Sequence, residues 1–314
     1  MEEQIGKVKL DYTFYQGADS YSDGDIENVL LNWIKKESDV NRIIREDSRW
    51  PVLYHFSPVR QSIVQWYPFR KNASVLEIGA GCGAVTGALC GKAAEVTCVE
   101  LSKRRSLINA HRNKECGNLK IMVGNFNDIL FQEKFDYITL IGVLEYAAYY
   151  TAADQPFRAF LENIGALLKP DGKVLIAIEN RYGLKYWAGC REDHTGRFFD
   201  GLEGYRQTDS MVRTFGKDEI TEIIKDAGYS TIDFYYPFPD YKFPSQIFSD
   251  DYMPKAEDLV CALESYDSDR LRLFDETAVF QDIVESGKFD FFSNSFFIEI
   301  GRKTEEKDLE ENIF

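Results

Sequence analysis

The chain reads as an α/β protein built on a doubly wound, mostly parallel sheet, and three observations predict it. Apolar strand-like runs alternate with stretches of helical period between residues 74 and 178, the pattern of a parallel sheet covered on both faces. A glycine-rich turn, Gly79-Ala80-Gly81-Cys82-Gly83, follows the first of those runs directly. A length of 314 residues with 44% hydrophobic content suits one large domain with an appendage and a core of real size.

The predicted strands are 74–78, 95–99, 120–123, 135–141 and 173–178, separated by helical patterns at 84–90, 104–113 and 156–168. Pro170-Asp171-Gly172 supplies the turn before the fifth strand. Residues 181–215 break the rhythm, and so long an irregular connection is a candidate substrate region. Periodicity resumes with a helix over 217–227, stopped by Gly228, and a strand over 231–236. A second insert, 237–290, carries a helical stretch within 269–285, and a last strand covers 295–300. The first 70 residues are polar and aromatic, with helical patterns at 24–36 and 58–66, and are expected to form a helical cap. The main domain then spans 71–302, and the charged tail 303–314 is expected to fray.

Composition excludes several classes. A net charge of −15 disfavours nucleic-acid binding, whose affinity comes from neutralising phosphates. The cysteines (Cys82, Cys90, Cys98, Cys116, Cys190, Cys261) form no C-x-x-C pair, which points to a reducing compartment and no structural zinc. The N-terminus is acidic and no window is apolar enough to span a bilayer, so membrane insertion is not expected and the chain is read as cytoplasmic.

A glycine turn between a buried strand and a helix lets a ligand approach the main chain beside free N–H groups. Alone it is weak, because Gly79-x-Gly81-x-x-Ala84 also satisfies a dinucleotide fingerprint. Three further features stand at intervals that suit an adenosine cofactor. Glu100 closes the second strand, where a carboxylate can accept ribose hydroxyls. Gly124-Asn125-Phe126-Asn127-Asp128 follows the third strand, and Gly142-Val143-Leu144-Glu145-Tyr146 ends the fourth.

With these motifs the chain resembles the class I S-adenosylmethionine (SAM)-dependent methyltransferases over about residues 74–180, and in outline over 217–300. The resemblance implies a seven-stranded sheet whose antiparallel C-terminal strand, 295–300, lies beside the fifth. It implies that Glu77, Gly79, Ala80, Gly81 and Gly83 hold the methionine part of SAM. Glu100 and Leu101 would then hold the ribose, Asn125 and Phe126 the adenine, with Gly142 and Leu144 behind them. Two positions depart from the pattern: Tyr146 stands where many relatives carry His, and Asn125 where many carry Asp.

Methyl transfer to a hydroxyl needs an aligned acceptor and somewhere for its proton to go. His194, Glu145 and Tyr182 are the candidate catalytic residues, with Asp193 and Glu179 nearby in the same motifs. Aromatic residues of the first insert, Tyr182, Tyr186, Trp187, Phe198, Phe199 and Tyr205, with Arg181, Arg191, Arg197 and Arg206, either form a substrate platform or pack the insert onto the sheet. No His/Asp/Glu group with metal-ligand spacing appears, so no metal is expected. Residues 54–60 and 179–186 also resemble bacterial methyltransferases found with cell-surface glycan-building enzymes, which implies a saccharide acceptor. Together these readings predict methyl transfer from SAM to a small-molecule or saccharide-type acceptor, most simply at oxygen. A SAM-binding module without turnover and a nicotinamide-dependent oxidoreductase are the competing readings.

Overall fold

The computed structural model describes residues 2–19, 23–259 and 269–302; Cys261 and the tail 303–314 lie outside them. Ten strands form one sheet: β1 (Glu2–Ile5), β2 (Val8–Asp11), β3 (Ser74–Ile78), β4 (Glu95–Glu100), β5 (Leu119–Val123), β6 (Phe135–Ile141), β7 (Leu168–Glu179), β8 (Thr231–Phe238), β9 (Gln246–Ser249) and β10 (Ser295–Gly301), in the order β1-β2-β5-β4-β3-β6-β7-β10-β8-β9. Pairing is parallel from β2 through β5, β4, β3 and β6 to β7, and antiparallel at both ends. β10 lies antiparallel between β7 and β8, with Phe297 opposite Ala177 on one side and Tyr235 on the other.

The expected seven strands are the central run, and three more extend it, so seven is corrected to ten. β1 and β2 form a hairpin on the β5 edge, within a stretch expected to be helical cap. β1 is polar and carries no buried residue, and the signal of β2 is alternation over four residues: Val8 and Leu10 are fully buried while the intervening Lys9 is exposed. So short a period-two pattern is outweighed in the sequence by the polar residues around it. β9 is equally short and buries only Phe248, which hides it within the second insert.

Helices Thr86–Cys90, Lys103–Arg112, Pro156–Ala166 and Lys217–Asp226 fall close to the expected stretches. Ser102 caps the second by accepting the Arg105 N–H at 3.2 Å. The helix expected within 269–285 runs Glu276–Glu285, where Asp275 caps it by accepting the Ala278 N–H.

Beyond the hairpin the N-terminal segment is helical, in Ile26–Lys36, Val40–Glu46 and Trp50–Phe56, followed by the short turns Pro58–Gln61 and Ser62–Gln65. Leu30, Ile34, Ile43, Val52 and Phe56 gather with Cys82 of the glycine turn and Ile108 of helix Lys103–Arg112 in one apolar cluster. The cap is therefore seated on the turn itself. Arg105 reinforces the contact, reaching Glu27 and Asp23 at 2.7 Å each. Among the described residues no helix is long and apolar enough to cross a membrane, and five cysteines are free thiols.

If the hairpin is an integral edge of the sheet, Leu10→Ala removes a fully buried side chain and leaves a cavity against β5. A loss of about 2–4 kcal/mol in urea unfolding is expected; an unchanged midpoint would mean that the hairpin does not dock.

Candidate active site

A cavity of about 690 Å³ opens at the carboxyl ends of β3 to β7, within the range of small-molecule sites. It lies where the strand order reverses, with β4 on one side of β3 and β6 on the other, the place where open α/β sheets bind ligands.

The turn after β3 forms one wall. Gly79 and Gly81 adopt φ of +70° and +53°, which β-carbon-bearing residues seldom do. A Cβ at Gly79 would lie 2.5 Å from Val143 Cγ2, whereas one at Gly81 would meet no atom within 4 Å. The Gly79 and Ala80 N–H groups donate to the Val99 carbonyl at 2.9 and 3.2 Å. The Gly81 N–H donates to Glu100 Oε2 and the Ser102 N–H to Glu100 Oε1, both at 2.8 Å. Glu100 is thus a strut of the turn as well as a cavity residue. Burial pushes its carboxyl upward, countered by Arg105 and the two N–H donors.

Glu77 lines the same wall. The Thr86 hydroxyl donates to its Oε2 at 2.6 Å and the Cys98 thiol lies 3.1 Å from that oxygen. Burial pushes the Glu77 carboxyl up to about 7 despite these donors. Ala80, Leu101, Asn125, Phe126 and Gly142 also line the cavity. Asn125 Oδ1 accepts the Asn127 N–H at 3.0 Å, which opens the turn Phe126–Asp128.

Three expected site residues stand elsewhere. A Cβ at Gly83 would lie 2.3 Å from Asn109 Oδ1, so this glycine serves helix packing. Leu144 is fully buried in the core. Tyr182 stacks on Phe291 at 5.1 Å between ring centroids and packs over Gly216, away from the cavity. The aromatic platform also divides. Tyr186 and Tyr205 are buried packing residues, Trp187, Phe198 and Phe199 are exposed, and of the insert's five arginines only Arg191 lines the cavity.

The opposite end of the cavity is polar. Glu145 follows β6, Glu179 ends β7, and His194 comes from the first insert; one ligand atom from each lies within 4.8 Å of the others. The fold thus assembles a group with metal-ligand geometry where sequence spacing predicted none. His194 Nδ1 lies 3.0 Å from Glu192 Oε1, and its Nε2 3.6 Å from Glu145 Oε1. Burial pulls the imidazole pKa down, but the flanking Glu145 and Glu192 carboxylates hold it well above its usual range. Burial, with the nearby Glu179 charge, raises the Glu145 carboxyl. Lys242 donates to Glu179 and, at 2.8 Å, to Asp193, while Lys185 bridges Asp193 and Asp240 at 3.0 and 2.7 Å.

The cap supplies the third wall through Asp23, Trp50, Tyr54, His55 and Arg60. His55 pairs with Asp23 at 3.1 Å. Arg60 was not anticipated. Its guanidinium stacks over Tyr54 at 4.2 Å, and its buried Nε and Nη1 have no hydrogen-bond partner. Trp50 and Phe243, 5.9 Å apart between centroids, join the cap to the second insert, whose Tyr241 and Lys242 also line the site. Tyr54, His55 and Arg60 fall within the 54–60 stretch that the sequence singles out, but only the docking of cap and insert brings this wall to the cavity.

Residues 76–174 match the methyltransferase domain family. An uncharacterized methyltransferase of Staphylococcus carnosus is 29% identical over 157 residues, covering 49% of this chain and 69% of its own. A ubiquinone biosynthesis O-methyltransferase of Coxiella burnetii is 29% identical over 139 residues, 41% of this chain, and the match spans about half (53%) of that relative. Among solved structures, the Haemonchus contortus phosphoethanolamine N-methyltransferase 1 in complex with phosphoethanolamine and S-adenosylhomocysteine aligns with a TM-score of 0.48 at 14% identity, covering 88% of this chain and 48% of that one. A SAM-dependent methyltransferase from Thermotoga maritima aligns with a TM-score of 0.47 at 15% identity, over 83% and 97% of the two chains.

The buried Glu77 makes stability depend on pH. Its folded pKa of about 7 lies above its ordinary value of 4.5, so between those limits the folded chain keeps a proton that the unfolded chain has released, and stability falls as pH rises. Glu77→Gln should flatten this part of the pH profile of ligand-free unfolding; identical profiles for both proteins would place the carboxyl in solvent-like surroundings.

Proposed function

We propose that this chain, whose residues 76–174 match the methyltransferase domain family, is a class I SAM-dependent methyltransferase that transfers the methyl group of SAM to a hydroxyl of a small-molecule or saccharide-type acceptor. One observation carries the reading: the main chain at Gly81 lies open, with no atom within 4 Å of where a Cβ would stand, beside the Glu100 carboxylate. The cavity's donor set fits the cofactor. Glu77 suits the ammonium of its amino-acid part and Arg60, with two unpartnered buried nitrogens, its carboxylate. Glu100 retains lone pairs for the ribose hydroxyls after accepting its two N–H bonds, and Asn125 and Phe126 would flank the adenine.

Bound there, SAM supplies a methyl carbon whose bond to sulfur breaks as the acceptor oxygen's bond forms, the sulfur keeping the electron pair. The chain's own residues supply alignment and a place for the acceptor's proton. Glu145, Glu179 and His194 lie at the far end of the same cavity and provide that polar seat. Hydroxyl-rich acceptors suit it, because they bring donors to carboxylate oxygens that have none in the unliganded protein. Trp50, Tyr54 and Phe243 give ring faces on which a sugar can lie.

Calorimetry with SAM tests the cofactor half. Gly81→Arg should abolish binding by filling the approach space. Glu100→Ala and Arg60→Met should each weaken it by about 1.5–3 kcal/mol, the worth of hydrogen bonds to charged groups; undiminished affinity in all three would overturn the site. Turnover of methyl-labelled SAM against sugar nucleotides and glycan acceptors tests the other half. A labelled ether is expected, product only from a different acceptor class would reject the saccharide, and binding without turnover on any acceptor would favour a SAM-binding module.

A further inference from the structure

Two carboxylate oxygens at the polar end of the cavity are buried without any hydrogen-bond partner: Glu145 Oε2 and Glu179 Oε2. Both residues line the cavity, and both are within 1% of complete burial. A buried carboxylate oxygen without a hydrogen-bond partner is costly, and two in one pocket suit something positively charged or strongly donating.

His194 distinguishes between those occupants. Its Nδ1 is tied to Glu192, and Glu192 is itself held by the N–H groups of His194 and Thr195 at 2.8 and 2.6 Å and by the Tyr205 hydroxyl at 3.2 Å. The ring orientation is therefore set by a partner that is itself set, with Nε2 toward Glu145 at 3.6 Å, beyond hydrogen-bond reach. An imidazole whose outer nitrogen is anchored on a carboxylate while the inner one faces two carboxylates is the arrangement that holds metal-ligating histidines.

We propose that Glu145, Glu179 and His194 bind one divalent metal ion, of the manganese or zinc class that two carboxylates and one imidazole suit. Binding displaces the proton on His194 Nε2 and satisfies both orphaned oxygens. Lys242, which donates to Glu179 Oε1 and to Asp193, leaves Glu179 Oε2 unpartnered. The ion's role, fixing an acceptor oxygen and favouring loss of its proton, rests on the methyl-transfer reading; the binding itself does not.

The test uses the full chain stripped with a chelator and titrated with Mn²⁺, followed by electron paramagnetic resonance. One Mn²⁺ per chain is expected, displaced by Zn²⁺, with the nitrogen coupling of one imidazole in the echo-modulation spectrum. Glu179→Gln and His194→Gln should each weaken Mn²⁺ at least about tenfold, with thermal unfolding run alongside to confirm the fold. Should neither variant fold, the nitrogen coupling of the wild-type protein decides. No binding of Mn²⁺ or Zn²⁺ at millimolar concentration, absence of the nitrogen coupling, or unchanged affinity in the folded variants would overturn the proposal. Calorimetry with SAM on the same samples separates the two readings: SAM bound without metal sinks only the metal site, and metal bound without SAM sinks only the cofactor assignment.

Discussion

The hydrogen bond from the Gly81 N–H to the Glu100 carboxylate holds the site in shape. It ties the turn after β3 to the end of β4 and keeps the glycine backbone at positive φ, open to the cavity. Buried charge is costly unless it is paired and bonded. Glu100 meets that demand through two N–H donors and the nearby Arg105 guanidinium, so the groups that stabilise the carboxylate also shape the ligand's approach surface. A carboxamide there would lose both the charge and one of the acceptors.

From Arg105 the same logic runs outward to the cap. Its guanidinium is shared between Glu27 and Asp23, and Asp23 also pairs with His55. Apolar packing of Leu30, Ile43, Val52 and Phe56 on Cys82 and Ile108 seats the cap, and the ion pairs fix its register, because removing one member of a buried pair strands the other. The outcome is a three-walled cavity: glycine turn, cap and insert. Arg60 of the cap faces the ligand side while its own backbone sits in the turn Pro58–Gln61 beside the cap helices.

Much of this was legible in the residues. Alternating strand and helix periods located the centres of β3 to β7 because these are buried on both faces and read as largely apolar runs, although β7 begins at Leu168, ahead of the expected 173. The glycine turn and Glu100 were legible because close backbone approach leaves a local signature. What escaped depends on distance or brevity. β1 and β2 are four residues each, and β2 derives its burial from β5, more than 100 residues away. Tyr182 resembled a site residue but answers to Phe291, and the Glu145, Glu179 and His194 group exists only after β6, β7 and the first insert come together. Arg60 lies in the 54–60 stretch that the sequence singles out, but, like Lys242 and Trp50, it reaches the cavity only through packing between segments that sequence reads separately.

The most direct measurement is a crystal structure grown with S-adenosylhomocysteine. The nucleoside should lie along Gly79 to Gly81 with its ribose hydroxyls on Glu100 and its amino-acid part between Glu77 and Arg60. An empty crevice, or a nucleoside bound away from that turn, would contradict the assignment.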